Sequence, residues 1–118
     1  MKINVPTLPD EKFLRSHQWM DACSLEMCRV IAGKIQRQPE LMHIARKNLK
    51  RWKKIRRPCP QAVKEWDSIL KNNDPERILE ILTQDNDTGQ RLRQGDPFVG
   101  ILTETERLQI LRAFKFIE

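Results

Sequence analysis

The spacing of apolar residues between Trp19 and Ile35 constrains the fold of this chain more than any other feature of its sequence. These residues recur at steps of three and four, which places them on one face of a helix. They are Trp19, Met20, Cys23, Met27, Val30, Ile31 and Ile35. A helix from about Glu11 to Gln36 is therefore predicted. Leu14, Leu25 and Ala32 lie on another side of it, so we expect the helix to be buried on two faces.

Three prolines mark the places where further helices begin, because proline suits the first helical position, where its missing N–H would be unbonded anyway. Pro39 opens a second helix, which we expect to reach Arg57. A third helix is predicted from near Pro60 to Asn73. Asp74 is the predicted N-cap of a fourth helix, with a proline directly after it.

The rest of the chain predicts a short helical turn and a final helix. The turn follows Asp87 and ends at Gly95, and the helix begins at Thr103, which can form a capping box with Glu106. The chain is thus predicted to be all-α, a compact single-domain bundle of about five helices with short loops. This helical domain covers residues 11–118, and an extended N-terminal arm covers residues 1–10.

Cysteine and histidine usage gives no sign of a metal site. The chain has 118 residues, which fits one domain, and its cysteines Cys23, Cys28 and Cys59 show no CxxC spacing. Cys23 and Cys28 fall within the apolar helical pattern, so we expect them to be buried. His17 and His43 share no ligand spacing, and we therefore expect neither a metal nor another cofactor.

No sequence pattern indicates catalysis, since the chain lacks a glycine-rich phosphate loop, a GxSxG motif and an HExxH motif. We expect the protein not to be an enzyme and assign no catalytic residue. No run of about 18 apolar residues is present, which argues against a transmembrane helix. The first residues, with their single Lys2, do not resemble a signal peptide, so a cytoplasmic protein without a membrane partner is expected.

The most unusual composition lies in residues 46–57, RKNLKRWKKIRR. The cations are Arg46, Lys47, Lys50, Arg51, Lys53, Lys54, Arg56 and Arg57. We expect them on the helix face opposite Ala45, Leu49 and Trp52, and no acidic residue falls within residues 41–64. Two interpretations compete: the cations bind DNA, RNA or another polyanion, or they form a solvated face that suits the helix C-terminus.

Charge is also unevenly divided along the chain. Residues 1–64 carry 15 basic and 5 acidic residues, a net charge of +10. Residues 65–118 carry 7 basic and 11 acidic residues, a net charge of −4. The basic front favours an anionic partner, whereas the acidic rear could face a basic protein surface.

The segment RLRQGDPFVGIL, residues 91–102, contains two of the four glycines. In one interpretation it is a packed connection between helices: Gly95 ends a helix in the left-handed conformation, and Phe98 closes the core. In the other it is a contact loop for a partner. Arg91 and Arg93 stand two residues apart and must point to different sides of a helix, one inward and one outward.

The sequence from Met27 to Phe114 resembles a group of small, mostly uncharacterised bacterial proteins. The matching segments are IAGKIQRQPELMHIARKNLKRW, VKEWDSIL and ILTQDNDTGQRLRQGDPFVGILTETERLQILRAF. The RLRQ-x-x-PF-x-G-x-L-x-x-x-ER element is the specific part. One departure is Gly95-Asp96, where relatives often have two small polar residues.

The resemblance implies an antitoxin-like component of a bacterial toxin–antitoxin system, which acts by binding and neutralising a protein partner. The partner would be a cognate toxin, and the candidate contact residues in the motif are Arg91, Arg93, Gln94, Pro97 and Phe98. The alternative function is that of a nucleic-acid-binding protein or autoregulator that uses the cations of residues 46–57.

Overall fold

The computed structural model describes residues 2–7 and 16–118, and it confirms the all-α class. The helices are α1 (His17–Arg37), α2 (Met42–Ile55), α3 (Gln61–Asn72), α4 (Pro75–Thr83), α5 (Asp87–Arg93) and α6 (Glu104–Ala113), with a 3₁₀ turn at Pro39–Leu41. The described residues contain no strand. None of these helices combines the length and the apolar character needed to span a membrane.

Local capping chemistry explains where α4 and α6 begin. The Asp74 side chain accepts a hydrogen bond from the Arg77 backbone N–H at 2.8 Å, as expected of an N-cap. Thr103 and Glu106 form the complete capping box at the start of α6, with each side chain bonded to the other residue's backbone N–H. Both predicted starts are confirmed, because each depends only on residues within one turn.

The predicted second helix is shorter than expected at both ends. Pro39 heads a 3₁₀ turn, and α2 begins only at Met42. At the other end α2 stops at Ile55, and Arg56 is extended with φ −107° and ψ 107°. Pro58 keeps Arg57 out of the helix as well, since the residue before a proline is held away from the helical region.

The larger hydrophobic cluster lies between α1 and the helices packed around it. Its buried members are Cys28, Ile31, Ala32, Ile35, Met42, Ala45, Leu49, Val63, Trp66, Leu70, Ile78, Leu79, Leu82, Leu92, Phe98 and Ile101. Leu25 and Ala32 are buried as well as Ile31 and Ile35 of the first predicted face, so the prediction that α1 is covered on two sides is confirmed. Leu14 lies outside the described residues.

A smaller hydrophobic cluster joins the N-terminal part of α1 to α6. Its buried members are Trp19, Cys23, Ile110 and Phe114. The Trp19 indole donates to the Phe114 carbonyl at 2.8 Å and fixes the two helices to each other. Residues 2–7 are non-helical and pack on this cluster through Ile3 and Val5. α1 begins at His17 and not near Glu11, because Ser16 is extended with ψ 156° and caps the helix by accepting a hydrogen bond from the Trp19 N–H. The predicted boundary between arm and helical domain at residues 10 and 11 lies outside the described residues.

Met20 of the predicted apolar face and two further apolar residues, Ile55 and Ile117, are solvent-exposed. Met20 is 50% exposed, because a rotation of about 100° per residue turns it away from the Trp19 face. Ile55 is 68% exposed, since it is the last residue of α2 and the core ends at the partly buried Trp52. Ile117 follows the end of α6 and is also exposed.

Candidate nucleic-acid interface

The two sides of α2 differ sharply in character, as the sequence predicted. Met42, Ala45 and Leu49 are buried against the core. The opposite side is exposed at His43, Arg46, Lys47, Lys50, Arg51 and Lys54. Over the helical part of this face, from Arg46 to Lys54, the cations extend for about 12 Å along the axis. We call the solvent side of α2 with its following residues 56 and 57 the basic face.

Seven of the eight predicted cations have no carboxylate partner within the described parts of the chain, Lys53 being the exception. Arg56 lies over the Trp52 ring, 5.3 Å from its centroid. Arg57 donates weakly to the Lys54 carbonyl at 3.5 Å. Carboxylates of the described residues therefore neutralise almost none of the charge on the basic face, and this positive charge is directed to solvent.

A groove of about 250 Å³ lies where the edge of the basic face meets α3. Its cationic walls are Arg46, Lys50 and Lys53 from α2 and Lys71 from α3. Leu49 and Leu70 form its floor, and Asp67 completes the α3 side. This arrangement is concave and carries cations on both sides, whereas the rest of the basic face is a single helix surface.

Asp67 joins the two walls of this groove. Its Oδ1 pairs with Lys53 at 2.5 Å and its Oδ2 pairs with Lys71 at 2.8 Å. Partial burial raises the pKa of Asp67, but the hydrogen bonds from Lys53 and Lys71 outweigh burial and leave the pKa below its usual value. Sequence reasoning missed Lys71 and Asp67, because only the packing of α3 against α2 brings them to the basic run.

The motif loop, residues 91–102, is largely occupied by contacts inside the domain. Phe98 is fully buried and meets the Trp66 ring edge-on, with 5.6 Å between centroids. Pro97 is buried beside it. Arg93 is 5% exposed and donates to the Leu82 carbonyl at 3.0 Å and to the Gln84 carbonyl at 2.7 Å. These contacts follow the interpretation of the loop as a packed connection.

Arg91 and Gln94 are the two predicted partner-binding residues that reach the surface. Arg91 pairs with Glu65 at 2.7 Å and remains exposed, so the expectation of one inward and one outward arginine is confirmed. A partner-binding role for the five predicted residues stays a prediction. Arg93, Pro97 and Phe98 are buried in this fold, where a partner has no access to them.

Two side chains from other helices hold the motif loop in place. Asn48 of α2 donates to the Pro97 carbonyl at 2.8 Å and to the Val99 carbonyl at 2.9 Å. Lys34 of α1 donates to the Ile101 carbonyl at 2.8 Å. Sequence reasoning missed both, although Asn48 gave a signal: it is the one polar residue in the basic run that lies in phase with the buried face.

The two glycines of this loop have different roles, and the role of Gly95 differs from the prediction. Gly100 has φ +96°, a left-handed conformation that glycine adopts without strain, and it bends the chain before α6. Gly95 does not adopt the left-handed conformation predicted for the end of α5. It is needed for close packing instead, because a Cβ atom there would lie 2.9 Å from the Cβ of Ala62.

Titratable groups near the loop are shaped mainly by burial. Burial raises the pKa of Asp96 to about 6, partly offset by the Phe98 N–H and by Arg93. Burial raises the pKa of the Cys23 thiol to about 11, and the Glu26 charge adds to this effect. The pKa of Cys28 is also raised by burial. Both cysteines are buried, as predicted, and burial keeps them in the weakly reactive thiol form at neutral pH.

Comparisons with known proteins identify no relative of this chain. No family model matches the chain, no curated protein matches it, and no solved structure matches it. The resemblance to antitoxin-like proteins therefore stays a prediction, and the function has to be inferred from the surface of the molecule itself.

Proposed function

We propose that the protein is a non-catalytic nucleic-acid-binding protein whose basic face contacts the phosphate backbone. The observation that carries this proposal is the set of seven cations on and after α2 that have no carboxylate partner within the described residues. Like charges spaced three or four residues apart destabilise a helix by a few tenths of a kcal/mol for each pair. Phosphates that neutralise these cations would remove that cost and release counterions.

The chemistry of the basic face favours binding to the backbone rather than reading of base sequence. Arginine and lysine contact phosphates as well as guanine, whereas adenine is read chiefly by paired hydrogen bonds from asparagine or glutamine. Asn48, the only amide side chain in residues 46–57, is buried and bonded to the motif loop. Trp52 is half-buried with Arg56 above its ring, so it offers no open platform for stacking.

We expect binding to a short fluorescein-labelled DNA duplex that weakens steeply as salt rises. With four to six phosphate contacts, the logarithm of affinity should fall with a slope of about −4 to −5 against the logarithm of salt concentration. Fluorescence anisotropy at several sodium chloride concentrations measures this slope. Binding that is undetectable at low salt, or that does not depend on salt, would contradict the proposal.

A second function, binding of a toxin-like protein partner, is favoured by Arg91 and Gln94. Both belong to the motif shared with antitoxin-like proteins, and both are exposed at the end of α5. This surface belongs to residues 65–118, whose net charge of −4 complements a basic partner. A partner docked here would leave the basic face free for nucleic acid.

For the second function we expect one protein to be captured in stoichiometric amount from the native host after nuclease treatment. An R91A/Q94A variant should lose this protein but keep its affinity for DNA, because neither residue lies on the basic face. Loss of all captured protein on nuclease treatment would exclude a direct protein partner.

We place both activities in the cytoplasm, where thiols such as the three free cysteines are kept reduced.

A further inference from the structure

We infer that the groove between α2 and α3 is the principal phosphate subsite of the basic face, with one backbone phosphate held between Arg46, Lys50 and Lys71. The inference rests on the proposed nucleic-acid-binding function and assigns a specific place within it. It distinguishes the groove edge of α2 from the outer edge, which carries cations of the same kind.

The groove surrounds an anion in a way that the outer edge of α2 does not. Arg46, Lys50 and Lys53 follow one another at i, i+4 and i+7, so they line a single edge of the helix. Lys71 reaches the same groove from α3 and provides a cation on the opposite wall. A phosphate there meets positive charge from two sides, whereas Lys47 and Arg51 do not line the groove.

The groove floor strengthens this attraction. Leu49 and Leu70 are both buried, so apolar protein rather than water lies beneath the cations. Charges interact more strongly where the surrounding dielectric constant is lower than that of water. Lys47 and Arg51, on the outer edge of α2, do not line the groove and lack this apolar floor.

Asp67 acts as a positioning residue and not as an obstacle to the anion. Each of its carboxylate oxygens pairs with a different lysine, so its charge is taken up by Lys53 and Lys71. An ammonium group has three donors, and each lysine therefore keeps two for a phosphate. The groove still has four cations against one carboxylate, a net charge of +3.

The first test compares two double variants that are matched in composition and in spacing. R46Q/K50Q removes one arginine and one lysine at i, i+4 from the groove edge, and K47Q/R51Q removes the same pair from the outer edge. All four residues are exposed and have no ion-pair partner in the described chain. We expect the groove variant to reduce the salt slope for DNA by about 2, and the outer variant by less than about 1.

The second test uses α3. If the positive charge of α2 alone bound the DNA, residues of α3 would have no role in binding. K71Q should weaken DNA binding and reduce the salt slope by about 1, whereas K64Q, an exposed lysine of α3 outside the groove, should change it little. K71R, which keeps the charge, should restore affinity. Circular dichroism melts of each variant verify that the helices remain folded.

The outcomes separate this inference from the function on which it rests. Equal losses for R46Q/K50Q and K47Q/R51Q, together with wild-type affinity for K71Q, would overturn the groove as the principal subsite but leave nucleic-acid binding intact. If the wild-type protein does not bind DNA at low salt, the proposed function fails and the subsite fails with it. A larger loss for the groove variant, with a loss for K71Q, supports both.

Discussion

Replacement of Phe98 by alanine is expected to lower the free energy of unfolding by about 3–5 kcal/mol. The ring is fully buried, so its removal takes away buried apolar surface and leaves a cavity in the larger cluster. The edge-on contact with Trp66, at 5.6 Å between centroids, is lost as well. Urea denaturation followed by circular dichroism measures the change.

The neighbouring Val99 provides the matched control for this substitution. It is 64% exposed, and V99A should change the free energy of unfolding by less than about 0.5 kcal/mol. If F98A were as stable as V99A, Phe98 would not be packed in the core, and a contact role for the motif loop would regain support. Because small domains have only about 5–15 kcal/mol of stability, any loss of binding in F98A must be corrected for unfolded protein.

Replacement of Arg93 by methionine is expected to cost about 2–4 kcal/mol of stability. Methionine retains much of the length of the side chain, but it leaves the carbonyls of Leu82 and Gln84 without their shared donor. An unsatisfied buried acceptor costs about 1–3 kcal/mol, and hydrogen bonds from charged donors are stronger than neutral ones. Thermal and urea unfolding of R93M, compared with wild type, measure this cost.

Arg91 supplies the control for the arginine substitution from the same helix. Its ion pair with Glu65 lies at the surface, where such pairs contribute only about 0–1 kcal/mol. R91M should therefore unfold close to wild type. Equal destabilisation by R91M and R93M would show that the carbonyl contacts of Arg93 do not stabilise the end of α4.

Features set by neighbouring residues were predictable from the sequence. The caps at Asp74 and Thr103 were found correctly, because each involves side chains and N–H groups within three residues. The sequence also predicts correctly that Ala45 and Leu49 lie on the side of α2 opposite the cations, since helical periodicity alone determines which residues share a side. The same reasoning showed that Arg91 and Arg93 diverge, but not which of them points inward.

Features set by packing between helices were not predictable in the same way. The inward direction of Arg93 depends on the free carbonyls at the end of α4, which no local pattern reveals. The sequence predicts a left-handed bend at Gly95, whereas its role is close contact with Ala62 of α3. Lys71 joined the candidate site only because α3 packs beside α2.

The motif loop also determines how the molecule unfolds. Leu102 packs against both hydrophobic clusters, and Asn48 and Lys34 tie the loop to α2 and α1. Opening of this loop would expose parts of both clusters at once, so its cost approaches that of global unfolding. The loop thereby joins the two clusters into one cooperative unit.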